Sequence, residues 1–182
     1  MHTGADLFRD DPAVARRVCS KATPGAPQIC LNASDFPVLP QVSEALAEMF
    51  TRLEGVLGAP ARYVDSRPKD GEAGLAHVTR GWGITRNRLT DPRRYASDTA
   101  LGLVNRHCQA GPRGKDRKKE AERVARTADA VLSWLTGEDS TWSRDSRYLA
   151  RLKAMPDADR RAWLGRFLAT PQRCTPAEVP VL

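Results

Sequence analysis

Histidine is scarce in this chain, three among 182 residues, and none of its four cysteines lies in a C-x-x-C pair. Zinc sites draw convergent Cys and His ligands from short spacings, so no metal is expected, and no sequence signature of another cofactor is present. Nowhere does an apolar run approach the ~18 residues of a membrane-spanning helix, so no membrane span is expected. The opening MHTGADLFRDDPAVARR is charged and has no apolar h-region. No signal peptide is expected there, so the chain works in the cytoplasm, is exported by another route, or was trimmed. No internal repeat is visible.

What is present is the composition of an ordinary soluble protein, 41% apolar and 28% charged. The length suits one domain, or one domain with an extension. Lys and Arg exceed Asp and Glu by 29 − 22 = +7. That excess favours polyanionic partners such as nucleic acid, anionic lipid or bacterial cell wall, or is simply a solvated basic surface. The four cysteines, Cys19, Cys30, Cys108 and Cys174, allow two disulfides in three pairings, or four reduced and buried thiols. The favoured pairing is Cys19–Cys30, which closes a short Pro/Gly-rich loop and leaves Cys108–Cys174 to tie two helical segments. Such bridges imply an oxidising compartment.

Residues 1–40 show little periodicity and contain Pro12, Pro24, Pro27, Pro37 and Pro40. Apart from a short helix near 12–20, they read as an extended leader of unknown role wrapped on the domain. From Gln41 onward, Val42, Ala45, Leu46, Met49, Phe50 and Leu53 recur on one helical face. Gly55 is a natural helix terminator, which makes Glu54 the last helical residue. Residues 56–89 carry Gly58, Gly71, Gly74, Gly81 and Gly83 between β-formers Tyr63, Val64, Val78, Trp82 and Ile84, and predict short strands and turns. After Pro92 the pattern predicts helices over 93–109, 117–136, 145–154 and 158–169. The second buries Val124, Ala128, Val131, Leu132 and Leu135 and stops at Gly137. The third buries Tyr148, Leu149 and Leu152; the fourth buries Trp163, Leu164 and Phe167. The charged run RGKDRKKEAERVAR over 113–126 reads as a solvated helix start. The fold class is therefore α+β and mostly helical, with residues 41–175 as the domain and 176–182 as a tail.

Three residues in this frame fit one chemistry. Cleaving a glycosidic bond needs one carboxyl that stays protonated and a second that stays ionised. Glu54 suits the acid: the negative end of a helix macrodipole and the apolar neighbours Leu53, Val56 and Leu57 both disfavour its charged form. Asp65, in the polar stretch Asp65-Ser66-Arg67, suits the ionised partner. Thr79 offers a hydroxyl to orient a water, and the glycines after it let backbone approach a sugar closely. Each taken singly has a plainer reading: a solvated helix end, a turn former, a strand residue.

The order E-G-x(7)-Y-x-D-x(13)-T-x-G-x-G, running from Glu54-Gly55 through Tyr63 and Asp65 to Thr79, Gly81 and Gly83, resembles the signature of bacteriophage-type lysozymes (endolysins). The similarity continues downstream in YASDTALGLVNRH (95–107) and DAVLSWLTGEDSTWSRDSRYLARL (129–152), and covers roughly residues 42–170. The resemblance implies a lysozyme-like two-lobe fold, with helix 41–54 and sheet 56–89 in a small lobe, the later helices in the other, and a sugar-binding cleft between. It implies a bacteriolytic muramidase that hydrolyses peptidoglycan glycan strands in the periplasm or outside the cell. Glu54 would be its general acid, Asp65 would activate or position water, and Thr79 would hold that water; Tyr63, Gly81, Trp82 and Gly83 would bind substrate. A monomer without metal or cofactor is expected. The chain departs from the family pattern in a longer segment between Asp65 and Thr79, in Arg80, in Ile84, and in Leu135-Thr136 before Gly137.

Other readings compete. VTRGWGITRNRL (78–89) threads onto a helix-turn-helix presenting Arg86, Asn87 and Arg88 to a DNA groove; Gly81 within its first helix and Pro92 after its second oppose it, so no nucleic-acid partner is expected. A lysozyme-like domain that binds wall without cleaving it is a second. A cysteine hydrolase using Cys108 with His107 is a third, weakened because helical neighbours point about 100° apart.

Overall fold

The structure is a computed structural model describing residues 17–21, 28–33, 35–56, 62–64, 76–77, 90–105, 108–109, 115–137, 146–171 and 173–182. Among these, five α-helices and two 3-10 turns accompany a small sheet: β1 (Arg17–Cys19), β2 (Gln28–Asn32), a 3-10 turn (Phe36–Val38), α1 (Leu39–Arg52), β3 (Arg62–Val64), β4 (Ala76–His77), α2 (Pro92–Val104), α3 (Lys115–Thr136), α4 (Ser146–Ala154), α5 (Asp157–Ala169) and a closing 3-10 turn (Pro176–Glu178). The α+β, helix-rich class follows directly.

The sheet runs β1-β2-β3-β4. β1 and β2 are antiparallel, with Val18 opposite Leu31 and Cys19 opposite Cys30. β2 and β3 are parallel, with Ile29 beside Tyr63 and Cys30 beside Val64; β3 and β4 are parallel, with Val64 beside His77. A parallel pair needs a crossover, and α1 supplies it between β2 and β3. The first two strands come from the stretch read as a leader. Ile29 and Leu31 enter the core, so β2 is part of the domain, and Arg17–Cys19 is a strand where a short helix was expected.

The helices follow the apolar periodicity. In α1, Val42, Leu46 and Met49 are buried and face α2, α3 and β2. Proline occupies the first turn of α1, where a missing N–H costs no helical hydrogen bond. Helix α2 begins at Pro92, with the Asp91 carboxylate accepting from the Arg94 N–H at 3.1 Å. It ends at Val104, earlier than the predicted 109, because Asn105 turns extended and Cys108 is drawn to Cys174. Helix α3 starts at Lys115 with Asp116, Arg117, Lys118 and Lys119 exposed, and buries Val124, Val131 and Leu135. In α5, Trp163, Leu164 and Phe167 are buried, and the rings of Trp163 and Phe167 stack with centroids 5.5 Å apart.

One apolar cluster joins these elements, from Ile29 in β2 to Val179 near the C-terminus. Each large side chain fully removed from water contributes about 1.5–3 kcal/mol. Most of the 56–89 sheet expected to form a small lobe lies outside the described residues; α1 lays its apolar face on α2 and α3. Residues 176–182 are no loose tail either. Trp163 Nε1 donates to the Val181 carbonyl at 2.9 Å, Arg123 donates to the carbonyls of Val179 (3.2 Å) and Pro176, and Arg151 donates to that of Leu182 at 3.1 Å. Both disulfides, Cys19–Cys30 and Cys108–Cys174, are formed. That removes the thiol the cysteine-hydrolase reading needs.

Candidate functional site

The last turn of α1 places Glu54. The helix closes at Arg52, and Leu53 is its C-cap. Glu54 N–H donates to the Thr51 carbonyl at 3.3 Å and Val56 N–H to the Leu53 carbonyl at 3.0 Å. Glu54 is therefore a turn residue just beyond the helix rather than its last member. Gly55 reverses the chain at φ +71°, a conformation that costs other residues about 1–2 kcal/mol. Leu53 and Val56 point inward, 3% and 8% exposed, while Glu54 is exposed. The apolar pair expected to desolvate the carboxylate thus faces the interior and anchors the turn; Leu57 lies outside the described residues.

Helix α5 backs this turn. A Cβ on Gly55 would stand 3.0 Å from Arg161 Nη1, and a Cβ on Gly165 would stand 3.2 Å from the Val56 carbonyl oxygen. Gly165 lets the helix come this close. Arg161 and Arg160 both pair with Asp157, at 2.9 and 2.7 Å. The Arg160 guanidinium lies 4.5 Å above the Trp134 ring, a cation–π contact, while Trp134 Nε1 is buried without a hydrogen-bond partner. Arg52 pairs with Glu48 and donates to the Trp134 carbonyl at 2.7 Å, a cation at the negative end of α3. The turn bearing Glu54 is thereby held from the first helix, the third and the last. Sequence reading missed Arg161 and Gly165: their signal is a tertiary contact with a turn far back in the chain.

Of the other predicted site residues, Tyr63 lies in β3, paired with Ile29 and Ala76. Asp65, Thr79, Gly81, Trp82 and Gly83 lie outside the described residues, as does the 78–89 segment of the helix-turn-helix reading. β3 ends at Val64, one residue before Asp65. Among the described residues, no cluster of His, Cys, Asp and Glu is placed to hold a metal, and no helix is long and apolar enough to cross a membrane.

No family model, curated protein or solved structure matches this chain.

Two carboxyls away from this turn are shifted. Burial holds Asp129 in α3 above the usual aspartate range. Hydrogen bonds from the Thr175 backbone N–H and hydroxyl hold Glu178 below the usual glutamate range.

Proposed function

We propose that this chain is a peptidoglycan hydrolase cleaving the glycan backbone, with Glu54 as general acid, Asp65 and Thr79 handling the attacking water, and Tyr63, Gly81, Trp82 and Gly83 contacting sugar. The observation that supports it best is the setting of Glu54. A carboxylate is offered to solvent from a turn fixed by two buried neighbours, a left-handed glycine and a backing helix. A general acid needs this kind of rigid seat, because proton transfer demands a held distance to the leaving oxygen. The resemblance in residue order supplies the substrate class, the basic surface suits an anionic wall polymer, and the two disulfides are compatible with a periplasmic or extracellular protein.

The test is turbidity loss of purified bacterial walls, wild type beside Glu54→Gln, with circular dichroism as the control for folding. The expected result is clearing by the wild type and none by the variant at unchanged secondary structure. Clearing at the same rate by both would remove Glu54 from the mechanism.

One observation favours a second reading, a lysozyme-like domain that binds wall without cleaving it: Glu54 is exposed, with no described residue enclosing it as a cleft would. Co-sedimentation with walls, in the absence of any clearing by the wild type, would select this reading.

A further inference from the structure

Each disulfide has one buried cysteine, Cys30 at 2% and Cys174 at 3% exposed, and they differ in what shields the other. Cys174 is 3% exposed and belongs to the core. Cys108 packs against that core, and Gln109 N–H bonds the Cys174 carbonyl. Cys19, by contrast, is exposed at the end of a strand that is three residues long and, among the described residues, pairs with β2 alone. Neither Val18 nor Cys19 belongs to the core cluster, whereas Ile29 and Leu31 of β2 do. Among the described residues, β1 is held apart from the bridge by its short ladder and by contacts of Ser20. Its N–H donates to Ile29 O at 2.7 Å, its hydroxyl accepts from Ile29 N–H at 3.0 Å, and its carbonyl accepts from Gln28 Nε2 at 2.8 Å. Such bonds are modest in net worth and are opposed by the entropy of ordering the strand. β2 would stay behind, held by its buried side chains and by β3.

We propose that Cys19–Cys30 is a redox latch: a dithiol reductant opens it in the folded protein and frees β1 from the sheet, while Cys108–Cys174 stays closed. A dithiol thiolate attacks the sulfur of the exposed Cys19. The Cys19–Cys30 bond breaks, a mixed disulfide forms at Cys19, and Cys30 leaves as a thiolate that takes up a proton. The second dithiol sulfur then displaces Cys19, which also leaves as a thiol. The dithiol ends as a disulfide, having supplied two electrons and two protons to the protein. Opening leaves one edge of β2 with unpaired backbone groups, an edge able to accept another strand. The sheet is thus completed where thiols are kept oxidised and left open where dithiols are kept reduced. None of this depends on the hydrolase reading, since the readout is thiol chemistry and strand protection.

The test titrates the oxidised full chain with dithiothreitol under native conditions, traps thiols with N-ethylmaleimide and maps the label by mass spectrometry. Hydrogen exchange is followed in parallel over Arg17–Cys19 and α3. The expected result is labelling of Cys19 and Cys30 at a reductant concentration about tenfold below that needed for Cys108 and Cys174. Protection should be lost in β1 and kept in α3. Simultaneous labelling of all four cysteines, or earlier labelling of Cys108 and Cys174, overturns the proposal. So does reduction of Cys19–Cys30 that leaves β1 protected. Cys19→Ser provides an independent check: its β1 should exchange rapidly without reductant, and wild-type protection there would also overturn the latch.

Discussion

Gly137 shows how much a single position can decide. It terminates α3 at φ +72°, and a Cβ there would lie 2.6 Å from Arg52 Nη2. Alanine would strain the backbone and push away the guanidinium that bonds the end of α3 through the Trp134 carbonyl. Gly137→Ala is expected to lower stability by about 1–3 kcal/mol, read as a shift of the urea midpoint; an unchanged midpoint would mean the turn relaxes freely. Asp129 gives a pH-dependent prediction. Burial raises its pKa in the folded chain, so the folded state keeps that proton to higher pH than the unfolded state does. The group's stabilising contribution is present below the unfolded pKa and is lost as pH rises through the folded one. Asp129→Asn should therefore raise Tm at neutral pH, with the gain fading as the pH falls to about 3. A gain of equal size at both pH values would show that charge burial is not its cause. Glu178 runs the other way: its pKa is lowered by Thr175, so its contribution is present at neutral pH and lost on acidification through the folded value.

At the scale of elements, the helices were legible and the first strands were not. Residues such as Val42, Leu46 and Met49, or Trp163, Leu164 and Phe167, repeat with the helical period, and each set is buried as that period requires. A strand as short as Arg17–Cys19 has no period to read, and its partner Gln28–Asn32 becomes a strand by pairing with β1 and β3. The same holds for the early end of α2, set by a disulfide to a distant cysteine. Leu31 tests how firmly the first forty residues belong to the fold. It is 0% exposed, so Leu31→Ala should cost about 2–5 kcal/mol in chemical denaturation. A loss below about 1 kcal/mol would return this stretch to the status of a leader.

For the whole molecule, the helices, β2 and the C-terminal residues share one core, and the candidate site lies at its surface where α1 ends against α5. On the proposed mechanism, Asp65 delivers water rather than attacking the sugar itself. The freshly released reducing ends should then carry inverted anomeric configuration by NMR, as for carboxyls about 6.5–9.5 Å apart; retention would make Asp65 a nucleophile at about 5–5.5 Å. The sequence by itself determined the helical segments, the break at Gly55 and the candidacy of Glu54, because each rests on local periodicity or local backbone preference; it favoured one cysteine pairing by short loop closure and left the others open. Only the tertiary structure decided that Arg17–Cys19 and Gln28–Asn32 complete the sheet, that 176–182 seal the core, and that Arg161 and Gly165 brace the Glu54 turn. It also decided that Leu53 and Val56 turn inward while Glu54 stays in solvent. These outcomes depend on which distant surfaces exclude water from one another, and no local pattern along the chain encodes that choice.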